Sequence, residues 1–198
     1  KYTALVVVDM SNDFIYGAGK MAPAPGAPPT RFDKMVPIMV NFVDICRKVG
    51  VPVFWILTHH GPDIDFPAYK SRHLRQGTTP DNREGTIGAE LIGALVPQKG
   101  ERKFYKHGYD GFTGTDLDIC LKNRGINTLI MTGVRTGTCV DTTLKRGFHL
   151  GYYIVLGADM TETVDEVEQR IFLERIASSY GLVATAQDIA KAWGVEMD

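Results

Sequence analysis

Short apolar runs alternate along this chain with longer stretches in which apolar residues recur every three or four positions. Residues 4–8 (ALVVV) form an uninterrupted run of the kind buried on both faces of a parallel sheet. Met35, Ile38, Met39, Phe42, Ile45, Cys46 and Val49 then trace one helical stripe, which Gly50 ends. Residues 51–57 (VPVFWIL) read as a second strand, with Pro52 near its start, where a missing N–H is tolerated. A short helix is expected over 89–96, a third strand over 102–105, and a helix over 116–124 with Gly125 as its stop. Strand four covers 127–132, a helix 139–150, and strand five 153–156. A long helix over 164–178 carries Val164, Val167, Ile171 and Ile176, and 182–184 is a sixth strand. Thr185 caps the last helix, with Asp188 three residues on.

Six strands alternating with helices predict an α/β fold of three layers, α/β/α. A six-stranded parallel sheet in Rossmann-type order forms the middle layer of a single domain spanning residues 1–198. Functional groups in such sheets lie beyond the carboxyl ends of the strands. Asp9 follows strand one, residues 58–60 strand two, Lys106 strand three, and residues 133–139 strand four. The four segments therefore share one edge. Residues 17–30 and 61–85 are irregular and read as lids, partner contacts or solvated loops.

Composition narrows the function by exclusion. A chain of 198 residues that is 44% hydrophobic can bury one substantial core. Its net charge of −1 gives no footprint for nucleic acid or an anionic membrane. Three scattered cysteines make neither a disulfide framework nor a zinc-ligand pattern, which suits a reducing cytoplasm. No apolar run reaches the roughly 18 residues of a membrane span. There is no signal-peptide layout at Lys1, and the opening directly into a strand leaves room for a short native leader before it.

The candidate chemistry centres on Cys139. A strand ends at Gly133, the chain turns through small residues, and a thiol arrives where a helix is expected to begin. Unpaired N–H groups and the helix dipole there would favour the thiolate, which is the nucleophile. Cys46 and Cys120 lie among apolar residues at helical spacing and read as small core hydrophobes. Asp9 ends an apolar run, so its carboxylate needs a partner; it either caps a turn with Asn12 and Asp13 or moves the thiol proton. Lys106, if it faces the same cavity, would stabilise both the carboxylate and a thiolate.

Three stretches together resemble the isochorismatase-like cysteine hydrolases, in the right order and over nearly the whole chain. They are Val-Val-Asp-Met-Ser-Asn-Asp-Phe around Asp9, Lys-His-Gly-Tyr-Asp-Gly-Phe-Thr-Gly-Thr-Asp-Leu from Lys106, and Thr-Gly-Val-Arg-Thr-Gly-Thr-Cys-Val around Cys139. Glu84-Gly85-Thr86-Ile87-Gly88-Ala89 is similar to a further stretch that precedes the lysine motif. The resemblance implies a catalytic Asp9–Lys106–Cys139 triad, with Lys103 at the wrong spacing to replace Lys106. It also implies a cis peptide between Val134 and Arg135 and an oxyanion hole made by the N–H groups of Arg135 and Cys139. Phe14, Tyr109, Phe112, Val134, Arg135 and His59 are the candidate substrate-binding residues. Arg135 either pairs with a substrate carboxylate or faces a neighbouring subunit.

The implied reaction is hydrolysis of a C–N bond in a small amide, ureido or carbamoyl compound through a thioester, releasing ammonia or an amine. No cofactor is implied. Nor is a metal: nicotinamidases of this fold carry an Asp-x-His, whereas here the chain reads Leu57-Thr58-His59-His60-Gly61-Pro62-Asp63. Adjacent histidines on an extended segment point to opposite sides. Residues 143–152 look most like the branch acting on ureido and carbamoyl compounds, near ureidoacrylate amidohydrolase, N-carbamoylsarcosine amidase and biuret hydrolase. The alternatives are isochorismatase-type vinyl-ether hydrolysis and a non-enzymatic binding role. Relatives commonly form homodimers or homotetramers, and Phe148, Tyr152 and Tyr153 are candidate interface residues.

Overall fold

The computed structural model describes residues 2–17, 26 and 30–197, so most of the irregular 17–30 segment lies outside the described residues. In chain order the elements are β1 (Thr3–Val8), α1 (Asn12–Tyr16), α2 (Phe32–Lys48), β2 (Val53–Thr58), α3 (Pro67–Gln76) and β3 (Arg102–Lys106). There follow α4 (Leu117–Asn123), β4 (Thr128–Val134), α5 (Asp141–His149), β5 (Tyr153–Glu162), α6 (Glu166–Ser179), β6 (Leu182–Ala184) and α7 (Ala186–Ala192). The six strands form one all-parallel sheet in the order β3-β2-β1-β4-β5-β6.

Side-chain alternation along each strand builds the three layers. Ala4, Val6 and Val8 of β1 join Phe54, Ile56, Leu129 and Met131 in one core, closed by Leu117, Leu121, Leu144 and Ile176 of α4, α5 and α6. Leu5 and Val7 face the other way, with Val53, Trp55 and Ile130, under Met35, Met39, Phe42 and Ile189 of α2 and α7. With both faces covered, the central strands have no polar face to show, and β2 is buried at every position. Among the described residues no helix is long and apolar enough to cross a membrane.

Four elements depart from expectation. The helix expected over 89–96 is a single tight turn, Ile87–Ala89, followed by extended chain. The Asn12 side-chain amide donates to the carbonyls of Ile87, Glu90 and Leu91, and the Ile92 N–H bonds to Met10 O, so the backbone groups a helix would use are taken. The 61–85 segment holds α3, which buries none of its residues and so carries no apolar stripe to read. Pro67 stands at its first turn, and Gly77 ends it in the left-handed region at φ 62°. β5 runs to Glu162, because its pairing with β4 resumes after a register shift between Met131 and Gly133. On α6, Ile176 is buried but Val164 before it and Val167 and Ile171 on it are exposed.

Candidate active site

Parallel register sets three polar side chains side by side. Asp9 is the first residue after β1, Thr58 ends β2, and Lys106 ends β3 directly opposite Thr58. Asp9 sits at φ 53°, a left-handed conformation that few residues with a Cβ adopt and that Asp tolerates better than most. All three are buried. Lys106 Nζ lies 2.8 Å from Asp9 Oδ2 and donates to Gly108 O at 2.8 Å. Between them, Thr58 Oγ1 donates to the Asp9 carboxylate at 2.9 Å and accepts from Lys106 Nζ at 2.5 Å. Burial pulls the Lys106 ammonium down, but the charge of the adjacent Asp9 carboxylate, with Cys139 beside it, holds it above its ordinary value. The rival Lys103 is half-exposed and faces Glu90 instead.

Cys139 reaches this group from β4. Gly133, at φ 103°, crosses β1 so closely that a Cβ there would lie 1.9 Å from Val8 O. The Val134–Arg135 peptide is cis. A wide turn, Thr136–Val140, follows, in which the N–H groups of Thr138 and Val140 both bond to Arg135 O. Phe172 of α6 packs onto it so tightly that a Cβ at Gly137 would lie 2.1 Å from the ring. The Cys139 thiol is within hydrogen-bonding reach of both Asp9 and Lys106.

Burial, then the charge of Asp9, push that thiol up to about 12, against the pull of Lys106. This corrects the expectation of a thiolate held by a helix N-terminus. The helix α5 begins two residues after Cys139, and desolvation together with the adjacent carboxylate overrides its end field.

A cavity of about 150 Å³ opens over Cys139. Of the candidate binding residues Phe14, Tyr109 and Arg135 line it, with Thr138 beside Cys139. Three other candidates do not. Phe112 is buried with its ring stacked on Tyr152 at 6.0 Å, so it belongs to the core under α5. Val134 points into the core on the α2 side. His59 lies against the Tyr105 ring at 4.1 Å, while His60 turns the other way, to Asp65 and Tyr69. In their place stand Tyr69, Arg72 and His73 of α3, with Asp81. Sequence reasoning missed all four because their segment lacked periodicity. Among the described residues no group of His, Cys, Asp and Glu side chains is placed to hold a metal ion.

The isochorismatase domain family matches residues 3–188. The chain belongs to this family of hydrolases. Family members with ascribed reactions lie close to it. It is 33% identical to the ureidoacrylate amidohydrolase of Pseudomonas syringae pv. syringae (strain B728a), over 94% of this chain and 81% of that protein. It is 30% identical to the enzyme of the same name from Enterobacter sp. (strain 638), over 97% of this chain and 89% of that one. Among solved structures, N-carbamoylsarcosine amidase from Thermoplasma acidophilum superposes with a TM-score of 0.77 at 28% identity, covering 94% of this chain and 97% of its own. Both names describe amidohydrolases.

Proposed function

We propose that this family member is a cysteine-dependent amidohydrolase that cleaves a C–N bond of a small ureido or carbamoyl acid through a thioester. The observation that carries the reading is the buried Asp9–Thr58–Lys106 cluster in reach of the Cys139 thiol, at the floor of a small cavity. A solvated lysine or a capping aspartate would have no cause to be buried there. Arg72 and Arg135 add two guanidinium groups to the cavity, and neither is in an ion pair among the described residues, which favours a carboxylate on the substrate. The relatives' names point to the same class.

In this reaction Asp9 accepts the Cys139 proton as sulfur attacks the carbonyl carbon, so no free thiolate stands in the buried site. Lys106 keeps its charge and balances whichever of Asp9 or sulfur is negative. The N–H groups of Arg135 and Cys139 receive the oxyanion of the tetrahedral intermediate, at about 3 kcal/mol per donor. Asp9 passes its proton to the departing nitrogen, the C–N bond breaks, and ammonia or an amine leaves a thioester. Water then gives a proton to Asp9 as it attacks the thioester; sulfur departs and takes that proton back.

The test is ammonia release from ureido acids, carbamoyl amino acids, biuret, nicotinamide and maleamate, by the wild type and Cys139→Ala. Release from one compound by the wild type alone is the expected result. Equal ammonia release by Cys139→Ala would overturn the thioester route, and silence across the panel would favour vinyl-ether hydrolysis, which releases no ammonia and needs no thiol.

A further inference from the structure

Helix α3 is flanked by a second, larger cavity of about 400 Å³, on the side away from Cys139. Stacked rings divide the two spaces. Tyr69 lies on His60 at 4.2 Å and against His73 at 4.7 Å, and His73 lines both cavities. The outer cavity is open to solvent; its lining includes Pro62, Pro80 and the exposed Leu74, and two cations, Arg83 and Lys70, the latter donating to Pro62 O. Its lining carboxylate, Asp65, is already held by His60 Nδ1 at 2.6 Å. Arg83 has no ion-pair partner among the described residues. The helix itself contributes Lys70, Arg72, His73 and Arg75 and no acidic residue, while Asp63, Asp65, Asp81 and Glu84 flank it in sequence.

We propose that this outer cavity is a separate binding site for a small organic anion with an apolar body, of the aryl or branched-alkyl carboxylate class. The apolar walls take the body and Arg83 with Lys70 the carboxylate, in a fork that a guanidinium matches geometrically. A consequence for the catalytic cavity is built in. α3 is ten residues long and buries none of them, so its own stability is low. An occupant of the outer cavity braces the helix that presents Tyr69, Arg72 and His73 to the other side.

Benzoate, with benzyl alcohol as its uncharged counterpart, tests this through hydrogen exchange of the 67–76 segment in the whole protein. Benzoate is expected to slow that exchange in the wild type and in Arg135→Gln, half-saturating on the order of 1 mM, the range open to so small a ligand. Arg83→Glu and Leu74→Asp, both at exposed positions that leave the core intact, are expected to weaken the effect by about tenfold or more. Protection lost in Arg135→Gln but kept in Arg83→Glu would place the anion in the catalytic cavity and overturn the proposal. Equal protection by benzyl alcohol, or none at about ten times the stated concentration, would overturn it as well.

Discussion

Thr58→Val removes one hydroxyl from the most buried polar cluster of the molecule while keeping the shape of the side chain. That hydroxyl donates to Asp9 at 2.9 Å and accepts from Lys106 at 2.5 Å, with Thr58 only 3% exposed. Hydrogen bonds to charged partners contribute about 1.5–3 kcal/mol each, so the two together are worth about 3–6 kcal/mol. The Lys106–Asp9 contact and the bond to Gly108 O survive, and the added methyl is favourable in the buried site. The expected net loss is therefore about 2–4 kcal/mol, a large fraction of a typical stability of about 5–15 kcal/mol. Activity falls for a separate reason. Without the hydroxyl the Asp9 carboxylate is no longer fixed toward the thiol, and kcat is expected to drop about 10- to 100-fold. KM stays near its original value, since Thr58 is not part of the cavity lining. Thr58→Ser keeps the bridge, loses about 1 kcal/mol with the methyl, and retains most of kcat. Urea unfolding and steady-state rates on whichever ureido acid is cleaved read both quantities. A Thr58→Val protein as stable and as fast as the wild type would refute the bridging role.

Breaking the buried ion pair from one side should be costly. Lys106→Met is expected to lose about 3–5 kcal/mol and all activity, whereas Asp9→Leu/Lys106→Met regains most of the stability and none of the turnover, as denaturant titration and assay would show. Arg72→Gln and Arg135→Gln should each raise KM for a ureido acid about tenfold or more while leaving KM for a neutral amide nearly unchanged; equal effects on both would rule out a carboxylate contact. Alkaline pH probes the buried thiols. Burial pushes Cys46 up to about 12 from an ordinary 9.0, so the folded protein holds this proton where the unfolded chain has lost it. Its contribution is complete below about pH 9 and drains away toward pH 12, at about 1.4 kcal/mol per pH unit. Cys46→Ala should flatten the decline of unfolding free energy over that window by this amount; curves parallel to the wild type would show that the thiol already titrates normally.

The sheet was legible in the sequence because its central strands are buried on both faces. ALVVV and VFWIL can be little else in a chain of this size, and the polar residue that ends each run marks the functional edge. Asp9 and Lys106 stand at strand ends and Cys139 in the turn after β4, so the strand pattern set all three at one edge, and the family resemblance grouped them as a triad. Thr58 stands at one too, yet a lone hydroxyl after an apolar run carries no sign of the two charges it bridges. Phe112 and Val134 show the converse failure. Each lies within one of the motifs that carry the family resemblance, but loop and strand geometry turn their side chains into the core.

The wall facing Cys139 escaped detection for a physical reason that bears on what it does. Helix α3 gains almost nothing from burial, and its place is fixed by contacts at its edges rather than by a stripe of its own. Phe66, just before its first turn, sits where a Cβ on Gly108 would meet the ring at 2.6 Å, and Gly108 is also the carbonyl that receives Lys106. Asp65 grips His60, and Tyr69 stacks on the same imidazole. A helix held at a few points over a rigid sheet edge can exchange its exposed side chains at little cost in folding energy. Asp9, Lys106 and Cys139, by contrast, are buried in the core, so on the proposed function replacing one is expected to cost stability as well as rate. On the proposed function, substrate choice rests on a helix that the fold constrains little, so hydrophobic patterning marks the strand ends but not the residues that would select what enters the cavity.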